Sequence, residues 1–326
     1  MLVIKPLRSL KVLPLLLACG QAPSAEAQNY PLKPVRYLIG ASAASAGDTL
    51  ARLITAGLSQ SFGQQVVVES RPGAGGNIVA EMAAKAPPDG YVMFQITIAY
   101  AAYASLYQKL SYDLVRDFAP VTQLATGPYV VVAHPSLPVK SLSELIKLAK
   151  SKPGVIDYSS AGAGTPTFLA AELFKAQAGV NLMHVPYKGG GPALTAAVAG
   201  EVSLHFAPIA TALPNIRERR VRALGVTTVK RIAMTPDLPT IAESGLPGFE
   251  SGNWYGLVVP AKTPRETIAT IRNAAITVMN NSTLNSRLND LGFVAQTSQP
   301  EEFGAYIKTE IDRLGKVIRA YNLTAD

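Results

Sequence analysis

The chain has 326 residues, of which 48% are hydrophobic and 16% are charged, and its formal net charge is +8. This composition excludes an intrinsically disordered chain, and the length predicts two domains. Basic residues are scattered apart from one cluster at residues 217–222, which we expect at a helix end and turn. Aromatic residues do not interleave with that cluster, so the sequence predicts no binding to nucleic acid.

Residues 1–27 are typical of an export signal. Basic residues precede a short apolar run at residues 12–18, and Ala-Glu-Ala at residues 25–27 fits a cleavage site. We therefore expect an exported protein whose mature chain begins at Gln28, with lipid attachment at Cys19 as the alternative. Cys19 is the only cysteine, so its removal would exclude disulfides and thiolate metal sites. No later apolar run is long enough to span a membrane.

Strand and helix patterns alternate through the first half of the mature chain. Strands are predicted at residues 35–39, 66–69, 92–98, 121–124 and 130–133. Helices are predicted near residues 49–62, after residue 77, at residues 100–107, and from a capping box at residues 141–144 to residue 150. Asp48 and Asn77 are interpreted as helix N-caps.

The second half repeats this alternation. Strands are predicted near residues 156–159, 182–185, 202–206, 224–227 and 254–259. Helices are predicted at residues 167–177, around a first turn that holds Pro192, and from capping boxes at residues 263–266 and 298–301. The pattern predicts α/β layers with mainly parallel sheets. Ligands of such sheets bind beyond the carboxyl ends of the strands.

A loop of small residues joins a predicted strand to a predicted helix at residues 157–169. Gly162 and Gly164 allow the backbone to turn tightly and to approach a ligand closely. The helix that follows begins with unpaired N–H groups and a partial positive charge, which together suit an anion. Thr165 and Thr167 add hydroxyl donors at the same place.

A second loop of similar composition lies upstream at residues 40–49, where it also joins an apolar strand to an amphipathic helix. For either loop alone, an ordinary strand-to-helix turn is the simpler interpretation. Together they predict that the two loops face each other and hold a small organic anion. Hydroxyls and backbone N–H groups suit binding without chemical turnover.

The sequence shows no catalytic or metal-binding constellation. The histidines are not spaced as zinc ligands, and neither a nucleophile elbow nor a P-loop occurs. Residues 73–76 match only part of a dinucleotide fingerprint. We therefore predict no enzyme activity, no cofactor and no metal. The alternative, an exported hydrolase of a small ester, would need Ser159 or Ser160 to pair with His184, and the sequence spacing does not support that pairing.

Several short motifs mark the mature chain. They are YPLKP at residues 30–34, ESRPGAGGN at 69–77, KAPPDGY at 85–91, YD at 112–113 with RDFAPV at 116–121, HVPYKG at 184–189 and NWYG at 253–256. Together they resemble the substrate-binding proteins of tripartite tricarboxylate transporters, the Bug-type periplasmic receptors, over essentially the whole mature chain.

This resemblance implies a type II periplasmic binding protein fold, with two α/β domains and a ligand cleft between them. Domain 1 would comprise residues 28–127 and 254–326, and domain 2 would comprise residues 128–253. The implied function is a periplasmic receptor that closes on a small carboxylate and delivers it to the membrane subunits of a tripartite transporter. We expect a monomer. An orphan sensor that serves a signalling partner is the alternative.

The resemblance also implies which residues hold the ligand. They are Ser42, Ala43 and Ser45 in the first loop, Thr97 at a strand end, Gly162, Ala163, Gly164, Thr165 and Thr167 in the second loop, and Ala207 at a third position. Residues 71–76 are interpreted as a structural turn. Lys188 either raises the positive potential near the cleft or lies on the surface.

The chain departs from the family pattern at three places. Ala-Ser-Ala-Ala-Ser at residues 41–45 replaces an aromatic-Pro-Pro-Gly-Gly run, and Phe168 replaces a histidine. Ala207 and Pro208 stand where an Asp-Asn pair is usual, which removes a polar group from the distal pocket. We therefore expect a ligand body more apolar than citrate or an amino acid, such as an aromatic or aliphatic carboxylate.

Overall fold

The computed structural model describes Met1 and residues 30–324. The predicted export signal and Cys19 lie outside the described residues. The strands are β1 (Val35–Ile39), β2 (Val66–Ser70), β3 (Val92–Thr97), β4 (Phe118–Ala133), β5 (Asp157–Ser160), β6 (Met183–Pro186), β7 (Leu204–Pro208), β8 (Arg222–Val226), β9 (Gly252–Pro260) and β10 (Val294–Ala295).

Helices connect most of these strands. They are α1 (Ala46–Phe62), α2 (Asn77–Ala84), α3 (Ile98–Leu106), α4 (Leu142–Ser151), α5 (Pro166–Ala178), α6 (Gly190–Ala199), α7 (Ile209–Arg217), α8 (Arg265–Met279), α9 (Ser282–Asp290) and α10 (Pro300–Ala320). The sequence patterns predict all of these elements except the polar helix α9, the short strand β10 and helix α7. No helix in the described residues is both long enough and apolar enough to cross a membrane.

Two of the predicted helix caps are wrong. Helix α1 begins earlier than predicted, because Ser45 is its N-cap and accepts a hydrogen bond from Asp48 N. Asp48 instead lies in the first turn, where its carboxylate accepts from Ala44 N and from Arg52 Nε. Gly76 is the N-cap of α2, and the Asn77 side chain accepts a hydrogen bond from Tyr112 Oη.

The predicted capping boxes differ in outcome. Ser141 caps α4 as predicted, although the Glu144 carboxylate accepts from Lys140 N. The box at residues 263–266 is wrong, because α8 begins after Pro264 with no side-chain cap. At α10 the box is displaced by one residue, since Gln299 is the N-cap and pairs with Glu302.

Strand β4 crosses from one half of the molecule to the other. The two strands predicted at residues 121–124 and 130–133 are parts of this single strand. Its residues 118–128 pair with β9, whereas residues 129–133 pair with β7 and residues 130–133 also pair with β8. The strand order is β2-β1-β3-β9-β4-β7-β5-β6, with β8 and β10 also on β4.

The prediction of mainly parallel sheets holds only at the outer strands. Strands β2, β1 and β3 are mutually parallel, as are β7, β5 and β6. The central pairs β3–β9, β9–β4 and β4–β7 are antiparallel. The carboxyl ends of β1 and β5 therefore both face the region where the two halves meet. We propose the predicted domain division, at residues 127/128 and 253/254, because the pairing of β4 changes after residue 128.

The two halves also contact each other away from the crossing strands. Leu169 of α5 is buried in a cluster with residues of α2, α3 and α10. Val317 of α10 packs against the core of the other half. A Cβ atom added at Gly164 would lie 2.7 Å from Tyr107 Oη. These contacts bring the loops after β1 and β5 towards each other.

Candidate functional site

Loops from both halves enclose a cleft of about 710 Å³. A ligand cleft of this size is typical of small-molecule sites. The structure also has a groove of about 740 Å³ on the outer face of the first half, between α8 and α10. That groove lies at the amino-terminal end of β4 and holds none of the predicted site residues, so we take the cleft as the candidate site.

Most of the predicted site residues line the cleft. They are Ser42, Ser45, Thr97, Gly162, Ala163, Thr165 and Thr167. Ala43 is exposed on its loop, Gly164 packs against Tyr107, and Ala207 is fully buried in β7. Pro208, next to Ala207, does line the cleft. Direct ligand contact by any of these residues stays a prediction.

Several helices begin at this cleft. Their N-cap residues Ser45, Thr97, Thr165, Gly189 and Pro208, of α1, α3, α5, α6 and α7, all line it. Of these N-caps, only that of α1 accepts a capping hydrogen bond through its side chain. Because helix N-termini carry free N–H groups and partial positive charge, this arrangement favours an anion.

The loop after β1 meets the loop before α6 across the cleft. A Cβ atom added at Gly189 would lie 2.4 Å from Ser42 Oγ, so only glycine allows this approach. Gly189 also has a φ of 122°, which side chains disfavour. Among the described residues, Ser42 Oγ is buried without a hydrogen-bond partner. A buried unpaired hydroxyl is costly unless a ligand satisfies it.

The loop after β5 is held in place by its own hydroxyls. Thr165 Oγ1 donates to Gly162 O at 2.6 Å, and Thr167 Oγ1 accepts from Ala161 N at 2.9 Å. Ser160 Oγ accepts from Gly162 N at 3.1 Å. Gly162 has a φ of 119°. This loop therefore has a fixed shape before any ligand arrives.

Ser160 and His184, the pair that a hydrolase would need, do meet. Ser160 Oγ lies 2.7 Å from His184 Nε2, whereas Ser159 Oγ lies 3.1 Å from His205 Nδ1. However, Ser160 is fully buried and does not line the cleft. Burial lowers the pKa of His184, which keeps the imidazole neutral. The pair thus positions the loop after β5 and has no access to a substrate.

Charge in the cleft lining is sparse and of one sign. Lys188, which is exposed at the start of α6, is the single charged side chain among the lining residues that the structure describes. The lining includes no carboxylate. The predicted role of Lys188 in the potential of the cleft fits this position. A positive cleft without acidic groups favours a negatively charged ligand.

Sequence reasoning missed the aromatic walls of the cleft. Tyr100, Tyr107, Tyr129 and Tyr255 line it, as do Gln95 and Asn253. The motif at residues 253–256 includes two of these lining residues, Asn253 and Tyr255. The remaining tyrosines come from elements whose periodicity does not separate cleft-facing from core-facing side chains.

The turn at residues 71–76 combines two roles. Tyr103 Oη donates to Gly75 O, and Tyr100 Oη donates to Gly76 O at 3.4 Å, so the turn is fastened to α3. Residues 72–75 also line the cleft. The prediction that residues 71–76 form only a structural turn is therefore incomplete, because the turn also forms part of the cleft wall.

In the described residues no group of three or more His, Cys, Asp or Glu side chains is placed to hold a metal ion.

Residues 50–323 match the family described as "Tripartite tricarboxylate transporter family receptor". A UPF0065 protein from the tcbD-tcbE intergenic region of Pseudomonas sp. (strain P51) is 36% identical over 298 residues, which cover 91% of this chain and 89% of the relative.

Solved structures give the same result. The structure of R. palustris Rpa4515 with adipate is 33% identical to this chain and has a TM-score of 0.86, and the alignment covers 90% of this chain and 99% of that one. The structure of the periplasmic binding protein BugD is 28% identical to this chain and also has a TM-score of 0.86. The alignment covers 90% of this chain and 99% of the BugD chain. The type II periplasmic binding protein fold, with two domains and a cleft between them, is confirmed.

Proposed function

Because the chain belongs to the family of tripartite tricarboxylate transporter receptors, we propose that it is a periplasmic receptor that binds a small carboxylate in the interdomain cleft. It binds without turnover and presents the ligand, as a monomer, to the membrane subunits of a transporter. The export signal predicted at residues 1–27 and the periplasmic relatives support this location. The adipate-bound relative supports a carboxylate as the ligand.

The observation that carries this proposal is the convergence of helix N-termini on one cleft that has no acidic side chain. The carboxylate binds between the loop after β1 and the loop after β5. Ser42 and Ser45 donate to it together with backbone N–H groups of both loops, while the Thr165 hydroxyl, whose proton goes to Gly162 O, holds the second loop in shape. A charge-assisted hydrogen bond contributes about 1.5–3 kcal/mol, so a few of them account for micromolar affinity, about −8 kcal/mol.

Thermal unfolding with a panel of carboxylates tests this function. The protein is first unfolded and refolded to remove any carried ligand. A carboxylate at about 100 times its Kd should stabilise the fold by about 2.7 kcal/mol, which raises Tm by several degrees. The methyl ester of each acid is the matched control, and it should give no shift because it lacks the charge. If no carboxylate raises the Tm of well-folded protein, the proposed function is wrong.

Lys188→Gln should slow ligand association a few-fold at low salt. The exposed ammonium group lies at the cleft and attracts anions from solution, and salt screens this attraction. Stopped-flow association rates at about 20 mM and about 500 mM salt would measure the effect, which should disappear at high salt. Lys140→Gln, at an exposed position away from the cleft, is the control. An equal loss at both salt concentrations would contradict steering by Lys188.

A further inference from the structure

The groove between α8 and α10 has an apolar floor. Phe118 of β4 and Ile307 of α10 line it and belong to one core cluster. Gly304 lets α10 approach β4 closely, because a Cβ atom added there would lie 3.2 Å from Pro120 Cγ. Val115, which is 44% exposed, adds apolar surface at the edge of the groove. The groove therefore presents apolar surface that a partner can bury.

The walls of the groove are one face of each helix. Residues three, four and seven positions apart share a helix face, and the lining follows that spacing at positions 265, 268 and 272 of α8 and at positions 301, 304 and 308 of α10. Two helices with an apolar floor between them form the kind of groove that holds an amphipathic segment of another protein.

The charge of the groove is mainly positive. Arg265 and Arg272 on the α8 wall and Lys308 on the α10 wall are cations, and Glu301 is the single carboxylate in the lining that the structure describes. Arg272 Nε donates to Ser298 O at 3.2 Å. Among the described residues none of the three cations forms an ion pair. Unpaired cations on both walls favour an acidic partner.

The groove and the ligand cleft lie at opposite ends of β9. Phe118 pairs with Pro260 beside the groove, whereas Thr97 pairs with Tyr255 beside the cleft. The strand rises about 17 Å between these two positions, at about 3.4 Å per residue. All residues that line the groove belong to the proposed domain 1. A partner in the groove therefore leaves the cleft uncovered, and a hinge motion of the domains leaves the groove unchanged.

We propose that this groove is the docking site for the membrane subunits of the transporter, and that it binds an acidic, amphipathic segment of one of them. This inference rests on the proposed function, which supplies the partner but not the surface that contacts it. The apolar side chains of the segment are buried on the floor, and its Asp or Glu side chains pair with the cations of both walls. A recessed floor between two helices fits an inserted segment better than a flat layer of lipid headgroups.

Photo-crosslinking of the full chain in its native host tests the docking site. A benzoylphenylalanine side chain in place of Ala305, which is exposed in the groove, should form a covalent adduct with a membrane subunit of the transporter. Mass spectrometry identifies the partner in the adduct. The same group in place of Lys147, exposed on α4 of the other domain, is the control and should give no such adduct. An adduct only with a second copy of this chain or only with lipid, or no adduct at all, would overturn the inference.

A charge reversal separates docking from folding and from ligand binding. Arg265→Glu combined with Lys308→Glu should lower the yield of the adduct about tenfold or more, because the acidic segment then meets like charges. Both side chains are exposed and form no ion pair with a described residue, so the Tm should stay the same. The rise in Tm caused by a carboxylate should also stay the same, since the cleft lies at the other end of β9.

Arg220→Glu combined with Lys230→Glu is the matched control. It reverses two exposed charges in the other domain and should leave the adduct intact. An equal loss in both variants, or a normal yield in the groove variant, would overturn the docking site. Loss of the adduct by a protein that still binds a carboxylate would leave the proposed ligand binding intact. Conversely, a protein that forms the adduct but responds to no carboxylate would keep the docking site and lose the proposed ligand.

Discussion

Replacing Ser42 with alanine should weaken carboxylate binding by about 10- to 100-fold, the loss of one charge-assisted hydrogen bond. The ligand-free protein should not lose stability. Ser42 Oγ is buried against Gly189 and has no hydrogen-bond partner among the described residues. Without a ligand its removal therefore breaks no bond and relieves an unpaired polar group. The result would identify Ser42 as a donor that acts only in the complex.

Calorimetric affinity and the Tm of stripped protein, measured on the same preparation, check this prediction. Ser282→Ala is the matched control, because Ser282 is exposed in the first turn of α9, away from the cleft. It should change neither quantity. A Ser42→Ala protein that binds normally would contradict a donor role for the loop after β1. A variant that loses Tm in proportion to its affinity would indicate a structural role instead.

The sequence predicted the position of the two binding loops because their chemistry is local. A strand, a run of small residues and an amphipathic helix define residues 157–169 without tertiary information. The resemblance added Thr97, which lies at the carboxyl end of β3 and lines the cleft. Ala207 does not line the cleft, because period-2 alternation turns its side chain into the core and leaves Pro208 at the cleft.

Features that depend on register between distant strands could not be predicted in this way. Gly127 and Pro128 suggest a break, yet both pair with β9 inside the continuous strand β4. Ser160 meets His184 because β5 and β6 are adjacent and parallel, with Tyr158 opposite His184. Their spacing along the chain reflects the length of α5 and carries no information on that contact.

Acid should destabilise this protein through His205, which is fully buried in β7. Its Nδ1–H donates to Ser159 O at 2.9 Å, and its Nε2 is buried without a partner in the described residues. Burial lowers the pKa of His205 from 6.5 to about 4. A proton on Nε2 would place an unpaired charge beside the strand that leads into the binding loop.

The direction of this pH effect follows from the number of protons that His205 binds in the folded and unfolded chains. Between pH 6.5 and pH 4 the unfolded chain binds a proton at this histidine, and the folded protein does not. Lowering the pH therefore favours unfolding. The effect of His205 on the free energy of unfolding is absent above pH 6.5 and reaches its full size below pH 4. A difference of about 2.5 pKa units corresponds to about 3 kcal/mol of unfolding free energy.

His205→Asn isolates this contribution. An asparagine amide can still donate to Ser159 O but does not titrate, so the variant keeps the contact and loses the pH dependence of this group. Urea unfolding at pH 7.5, 6, 5 and 4 should show the native protein losing about 3 kcal/mol more than the variant over that range. The carboxylates and His184 are present in both proteins, so their shares cancel in the difference. If the unfolding free energies of the native protein and the variant changed equally with pH, His205 would be protonated equally in the folded and unfolded chains. The buried imidazole next to the binding loop would then be open to solvent protons, which its packing in β7 argues against.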